Sequence, residues 1–335
     1  MSSTLLQIKE LKVHFPMPKT SLFAPSSSAV KAVDGVTLDV KKGETLGLVG
    51  ESGCGKSTLG RAILQLIRST SGEVVFDGVD LTRQWSHRFG IWRPKDRLRR
   101  LRQRMQIIFQ DPYSALNPRM TIESIVSEPL KTFNILSGQA LRQRVQELME
   151  KVGLDPSYIR RYPHEFSGGQ RQRIGIARAI ALNPDFIIAD EPISALDVSI
   201  QAQILNLLKK LQKEMGMTLV FIAHDLAAVR HISDRVAVMY LGKIVELGDT
   251  QKIIYDPLHP YTKALISSIP VPDPLLEKSR KRTILEGEIP SPIDPPSGCA
   301  FHTRCPIMTE ACKSNVPKLR TISDQYDHVV SCDLV

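Results

Sequence analysis

Residues 6–15 (LQIKELKVHF), 29–40 (AVKAVDGVTLDV) and 71–81 (SGEVVFDGVDL) place apolar side chains at near-alternate positions, the rhythm of a strand with one buried face. Lys42-Gly43 and Asp77-Gly78 punctuate these runs as turns, which predicts an antiparallel β layer. From Thr45 the pattern changes: residues 45–49 (TLGLV) read as a buried strand and a glycine-rich loop follows. Leu59, Ala62, Ile63, Leu66 and Ile67 then recur at helical spacing. Short apolar runs return at 186–190 and 218–223, as in the parallel strands of an α/β core, with a helical stripe of Ile200, Ile204, Leu207, Leu208 and Leu211 between them. Residues 112–165 turn helical, with Ser137-Gly138 ahead of the segment 141–152 and Gly153 behind it, so a helical insertion is expected. After Gly248 prolines accumulate, in HPYTKALISSIPVPDP and IPSPIDPPSGC, at a density that disfavours long helices and central strands. The tail is therefore expected to form a separate, loop-rich module.

The 335 residues, 42% of them apolar, allow one large domain or two of ordinary size. No stretch reaches the eighteen or so uncharged apolar residues of a membrane-spanning helix, and the N-terminus lacks a basic segment followed by a long apolar one. A cytosolic location is expected. Lys and Arg outnumber Asp and Glu by 44 to 35, and the run 93–104 alone carries seven basic residues and one acidic one. Such a run suits phosphate backbones or anionic headgroups, but equally a solvated helix face. Of five cysteines, Cys54 stands alone in the glycine loop, while Cys299, Cys305, Cys312 and Cys332 crowd the end of the chain. In a reducing cytosol that cluster fits a metal site better than a disulfide framework.

Candidate chemistry concentrates at three places. Gly50, Glu51, Ser52, Gly53, Cys54, Gly55, Lys56 and Ser57 match G-x-x-x-x-G-K-[ST] between a strand and a helix, with Thr58 in the same set. The glycines let backbone N–H groups converge on β-phosphate oxygens, Lys56 neutralises β- and γ-phosphate charge, and the Ser57 hydroxyl ligates Mg²⁺. An ordinary glycine turn would not need a lysine and a hydroxyl at these offsets. The run 186–190 ends in Asp190-Glu191, placing Asp190 for the Mg²⁺ shell and Glu191 as candidate general base. Alone, two acids at a strand end are a solvated terminus; the upstream phosphate loop reverses that reading. Ser167, Gly168, Gly169 and Gln170 precede a helix burying Ile174, Ala177 and Ala181, which Ser167 can cap, leaving N–H groups for an anion. Taken singly, Ser-Gly-Gly is a common turn.

In this order, SGGQRQR between a phosphate loop and FIIADEP resembles the signature of the ABC ATPases, over roughly residues 5–250. The resemblance implies an ABC-type P-loop ATPase fold: an antiparallel β layer, a RecA-like parallel-sheet core and a helical insertion, here with a small cysteine-containing C-terminal module. Residues 1–250 would form the ATPase domain, with its helical subdomain at about 112–165, and 251–335 the tail. It implies that Phe15 stacks on adenine, with core packing as the plainer reading, and that Gln110 senses Mg²⁺ and the membrane subunits. Ser194, Ala195, Leu196 and Asp197 would make dimer contacts and would serve at the same time as a helix cap. His224, 33 residues past Glu191, would hold the γ-phosphate.

Beyond that region, FQDPYSALNPRM, the insertion 18–28 and the tail motifs HPYTKALISSIP and PPSGCAFHTRCP resemble the ATPase subunits of dipeptide and oligopeptide importers. Importers of glutathione or nickel complexes share much of this pattern. Implied partners are a related ABC ATPase subunit in a heterodimer, this chain resembling the second of the pair, two transmembrane permease subunits, and a periplasmic or lipoprotein peptide-binding protein. The implied location is peripheral, on the cytoplasmic face of the inner membrane. The implied ligands are ATP and Mg²⁺. A soluble ABC ATPase acting on nucleic acid is the rival reading. Against it, Lys56 and Ser167 lie only 111 residues apart, too close for the long coiled coil of repair-type members, and no second ATPase unit is present. A subunit that binds ATP without hydrolysing it is opposed by the presence of both Glu191 and His224. For Cys299, Cys305, Cys312 and Cys332, four thiolates and the Cys305-Pro306 pair suit a [4Fe–4S] cluster. Zinc is the alternative, although the intervals lack paired C-x₂-C knuckles. Some similar importer ATPases carry such a cluster, and a tail with little core of its own would gain stability from it.

Overall fold

A computed structural model describes residues 3–17, 29–88, 91–269, 285–323 and 328–335. The insertion 18–28 and the segment 270–284 of the tail motifs lie outside the described residues. The chain opens with β1 (Thr4–Pro16), β2 (Ala29–Lys41), β3 (Thr45–Val49), α1 (Lys56–Ile63), β4 (Ser71–Phe76) and β5 (Val79–Asp80). A hairpin of β6 (Trp85–Arg88) and β7 (Ile91–Pro94) leads into α2 (Asp96–Arg104), β8 (Met105–Ile108), α3 (Pro112–Ala115), α4 (Ile122–Thr132), α5 (Gly138–Lys151), α6 (Gly168–Ile180) and β9 (Phe186–Asp190). Next come α7 (Val198–Met215), β10 (Thr218–Ile222), α8 (Leu226–Ile232), β11 (Arg235–Tyr240) and β12 (Lys243–Asp249). The tail adds α9 (Thr250–Tyr255), α10 (Pro260–Ser267), β13 (Arg320–Ser323) and β14 (His328–Val330). The described residues divide into two compact units: 4–40, 46–82 and 223–335 in one, and Ser3, 41–45 and 83–222 in the other.

In the first unit the alternating strands form the expected antiparallel layer, in the order β2-β1-β4-β5, with Leu6 opposite Phe76 and Ile8 opposite Val74. Asp77 and Gly78 both adopt positive φ (47° and 75°), which a tight two-residue hairpin turn requires. A second sheet pairs β3 parallel to β11, then β11, β12, β14 and β13 antiparallel in turn. The tail therefore supplies strands to the same unit that holds the glycine loop, Val330 lying opposite Glu246. Glu246 is fully buried and saturated: it accepts from the backbone N–H groups of Leu258 and His259 at 2.8 and 2.9 Å and lies 2.8 Å from His328 Nε2. Beside it Tyr240, Tyr261 and Phe301 pack as a fully buried aromatic cluster, ring centroids 4.7 to 5.5 Å apart. Between these elements the described residues of the tail run in loops and short 3₁₀ turns, as its prolines dictate.

In the second unit β8, β9 and β10 are parallel neighbours, and every residue of β9 and β10 is buried, which explains their unbroken apolar runs. The insertion is helical from α3 to α6. At its centre Arg173 of α6 donates to the Val152 carbonyl at 2.6 Å, satisfying an orphan acceptor at the C-terminus of α5, where Gly153 turns the chain at φ 75°. Ser137 precedes α5 but makes no side-chain capping bond, contrary to its usual role. Residues 96–104 of the basic run become α2, which buries Leu98 and Leu101 and leaves Arg97, Arg99 and Arg100 exposed.

Candidate nucleotide-binding site

Two glycines shape the loop that opens α1. A Cβ on Gly50 (φ 154°) would stand 2.1 Å from the Met239 carbonyl oxygen, and one on Gly55 (φ 105°) 2.0 Å from that of Ala32. Only glycine fits either place. Within the loop Lys56 is 5% exposed, and its Nζ donates to the carbonyls of Gly50 and Glu51 at 2.8 and 3.0 Å. Its ammonium is thus held against two loop carbonyls at the head of the helix. Cys54 is buried beside it, and desolvation pushes its thiol pKa up. Ser52 and Gly53 are exposed, and Ser57 and Thr58 are half-buried on the first turn of α1. In the same unit Phe15 lies one residue before the end of β1 with 39% of its surface exposed, and His224 is exposed just ahead of α8.

Sequence reasoning missed two further residues at this loop. Tyr261 accepts from the Glu51 N–H through its hydroxyl at 2.8 Å, and Arg304 donates twice to the Glu51 carboxylate, at 2.8 and 3.2 Å. They lie 210 and 253 positions away along the chain, so no local pattern points to the contact.

The other unit assembles the acidic residues. Asp190 closes β9 and is buried, and Glu191 follows it in a left-handed conformation (φ 45°). That backbone region costs an L-residue roughly 1 kcal/mol, and here the Glu191 N–H is anchored on the Ile222 carbonyl at 2.9 Å. Glu191 Oε2 accepts from Gln110 Nε2 at 2.9 Å. Ser194 Oγ donates back to the Glu191 carbonyl at 3.1 Å, tying the loop 194–197 to the same corner.

Ser167 caps α6 in a full capping box: its Oγ accepts from the Gln170 N–H at 3.4 Å while Gln170 Oε1 accepts from the Ser167 N–H at 3.0 Å. A Cβ on Gly169 would approach Ile200 Cγ2 to 2.5 Å, and one on Gly168 would touch Leu196 Cδ2 at 3.5 Å. The Ser-Gly-Gly-Gln turn and the segment 194–200 are therefore neighbours, and Gly169 is what lets the two backbones approach. Ser194, Ala195 and Asp197 are exposed, as is Ser167.

Residues 33–194 match the ABC transporter family, and residues 245–312 match the oligopeptide/dipeptide transporter C-terminal region. The oligopeptide transport ATP-binding protein OppF of Salmonella typhimurium is 56% identical over 98% of this chain and 95% of its own length. This chain belongs to the ATP-binding subunits of ABC oligopeptide transporters. AppF of Bacillus subtilis, also an oligopeptide transport ATP-binding protein, is 51% identical over 99% of this chain and 97% of its own. Among solved structures, the dimeric post-hydrolysis ATP-binding cassette MJ0796 bound to ADP and phosphate superposes with a TM-score of 0.63 at 30% identity, covering 73% of this chain and 99% of that one. CbiO1 from Clostridium perfringens gives 0.61 at 27% identity, over 76% and 91%.

In this ATP-binding subunit no disulfide joins the tail cysteines. Burial raises the pKa of Cys299, and the proximity of Cys305, Cys312 and Cys332 adds to the shift, so the four share one neighbourhood. The Cys299 N–H donates to the Cys312 carbonyl at 2.9 Å, and a Cβ on Gly298 (φ 66°) would meet that same oxygen at 2.4 Å. Among the described residues no group of three or more His, Cys, Asp or Glu side chains is arranged to hold a metal ion. The ligand set expected from the cysteine count is thus present as a neighbourhood of thiols and not as a coordination geometry.

Proposed function

We propose that this ATP-binding subunit hydrolyses ATP in a closed dimer with a related subunit and passes closure to membrane permeases that import short peptides. The observation that carries the reading is the loop around Lys56 at the head of α1, with two positions, Gly50 and Gly55, that only glycine fits. The reading assigns the phosphates to Gly50, Glu51, Ser52, Gly53, Cys54, Gly55, Lys56, Ser57 and Thr58, and adenine to Phe15. Ser57, Asp190 and Gln110 would hold Mg²⁺, which neutralises phosphate charge. Glu191 would take the proton of the attacking water, and His224 would hold the γ-phosphate. No protein nucleophile takes part, because water attacks the γ-phosphate directly.

Ser167, Gly168, Gly169 and Gln170 would act on the partner subunit's nucleotide, and Ser194, Ala195, Leu196 and Asp197 on the dimer contact. Support comes from the exposed, capped turn at Ser167 and its contact with the 194–200 segment, one surface carrying both motifs. Bound ATP then favours the closed dimer because both surfaces stabilise its charge only when together. Among the described residues no helix is long and apolar enough to cross a membrane, so the subunit would attach to permease subunits at the inner face, with an external binding protein supplying peptide. The names of the relatives favour oligopeptides over glutathione or nickel complexes as cargo. Functionally, 1–250 would be the motor and 251–335 its tail. For Cys299, Cys305, Cys312 and Cys332 the reading is a structural [4Fe–4S] cluster, with zinc as the alternative, supported by four cysteines in one neighbourhood.

The test is nucleotide binding by Lys56→Ala in the assembled transporter. Loss of photolabelling by azido-ATP is expected, because the phosphate charge goes unpaired; labelling at wild-type affinity would end this assignment.

A further inference from the structure

The phosphate loop carries a carboxylate of its own. Glu51 lies on the segment assigned to the polyphosphate, where an uncompensated negative charge opposes binding of another. Arg304 meets it fork to fork, Nη1 to Oε2 at 2.8 Å and Nη2 to Oε1 at 3.2 Å, a geometry that a lysine cannot reproduce. The Arg304 side chain is 7% exposed and that of Glu51 25%, so water screens the pair only in part.

The same residue is held through its main chain. Its N–H is committed to the Tyr261 hydroxyl, and Tyr261 is immobilised in the aromatic cluster with Tyr240 and Phe301. Burial keeps that hydroxyl protonated, its pKa displaced far upward. The Glu51 carbonyl accepts from Lys56 Nζ. Arg304 itself stands immediately before Cys305, in the 3₁₀ turn His302–Arg304 that Cys299 opens through the His302 N–H. Among the described residues the thiol-bearing tail thus reaches the phosphate loop through the Arg304–Glu51 ion pair and the Tyr261 hydroxyl.

We propose that Arg304 is a positioning residue of the ATP site: it neutralises Glu51 while Tyr261 fixes the Glu51 backbone, and so makes ATP affinity depend on the docked tail. The inference rests on the assignment of residues 50–57 to ATP. It acts before chemistry, so its mark is on nucleotide affinity and not on the rate of a loaded site.

The experiment uses the complete transporter, with ATP half-saturation read from photolabelling of this subunit by azido-ATP, and kcat from phosphate release. Arg304→Gln is expected to raise half-saturation about tenfold with kcat within about twofold, and Arg304→Lys, which keeps the charge without the fork, about threefold. Adding Glu51→Gln to Arg304→Gln removes both charges and is expected to recover most of the loss. Unchanged half-saturation in Arg304→Gln overturns the proposal. So does a double variant no better than the single, the result if Arg304→Gln merely unfolds the tail. If Lys56→Ala labels as well as wild type, the ATP assignment itself fails, separately from the role of Arg304.

Discussion

Gln110 Nε2 donates to Glu191 Oε2 at 2.9 Å, joining the residue two past the end of β8 to the residue just past β9. Parallel pairing of those strands, with Ile108 opposite Ala189, makes the reach possible. The amide fixes the carboxylate of the proposed general base, and the left-handed backbone at Glu191 aims it.

Glu191→Gln removes the base but keeps an acceptor for Gln110. Turnover in the assembled transporter should fall by about 10² to 10³, with ATP binding retained and the closed dimer trapped. Phosphate release near the wild-type rate would exclude Glu191 from that role.

Gln110→Ala frees the carboxylate without deleting it. A drop in kcat of about tenfold is expected, with ATP half-saturation changing less than kcat. An effect confined to half-saturation would mean that Gln110 acts on binding alone.

Gly169→Ala drives a methyl to 2.5 Å from Ile200 Cγ2. The overlap should cost about 1–3 kcal/mol, seen as a lower Tm. Combining it with Ile200→Ala should return much of the loss; a double variant as unstable as the single would show that the strain lies elsewhere.

His259 is buried, and desolvation lowers its pKa to about 4, with Glu246 opposing the shift. Its Nδ1 accepts the Tyr261 N–H at 3.1 Å, so the ring is neutral with its proton on Nε2. The unfolded chain takes up a proton near pH 6.5 and the folded chain only near pH 4. This histidine's contribution is therefore whole above about pH 6.5 and is lost progressively as pH falls toward 4, by about 3 kcal/mol. Denaturant titrations of His259→Asn should show a shallower loss of stability across that window, and an unchanged slope would refute the assignment.

Anaerobic purification followed by iron, sulfide and zinc analysis tests the tail. Iron and sulfide should be bound, and each be lost when Cys299, Cys305, Cys312 or Cys332 is changed to Ser. Stoichiometric zinc without sulfide would replace the cluster with a zinc site.

What the amino-acid sequence determined by itself is everything whose cause is local. Alternation gave β1, β2 and β4 their buried face; unbroken apolar runs gave β9 and β10; helical spacing and a serine cap gave α6 its start. The phosphate loop was legible because phosphate chemistry needs glycines, a lysine and a hydroxyl at fixed offsets. Tertiary structure alone decided the long-range contacts. No spacing marks that β14 pairs with β12, that Ile200 makes Gly169 obligatory, or that Tyr261 and Arg304 of the tail close on Glu51. A periodicity records which face of an element is buried, but not which element covers it, because apolar burial is non-directional and any complementary surface satisfies it. The pairing of Arg304 with Glu51 exists only once two sheets and an aromatic cluster have brought residues 253 positions apart within hydrogen-bonding distance.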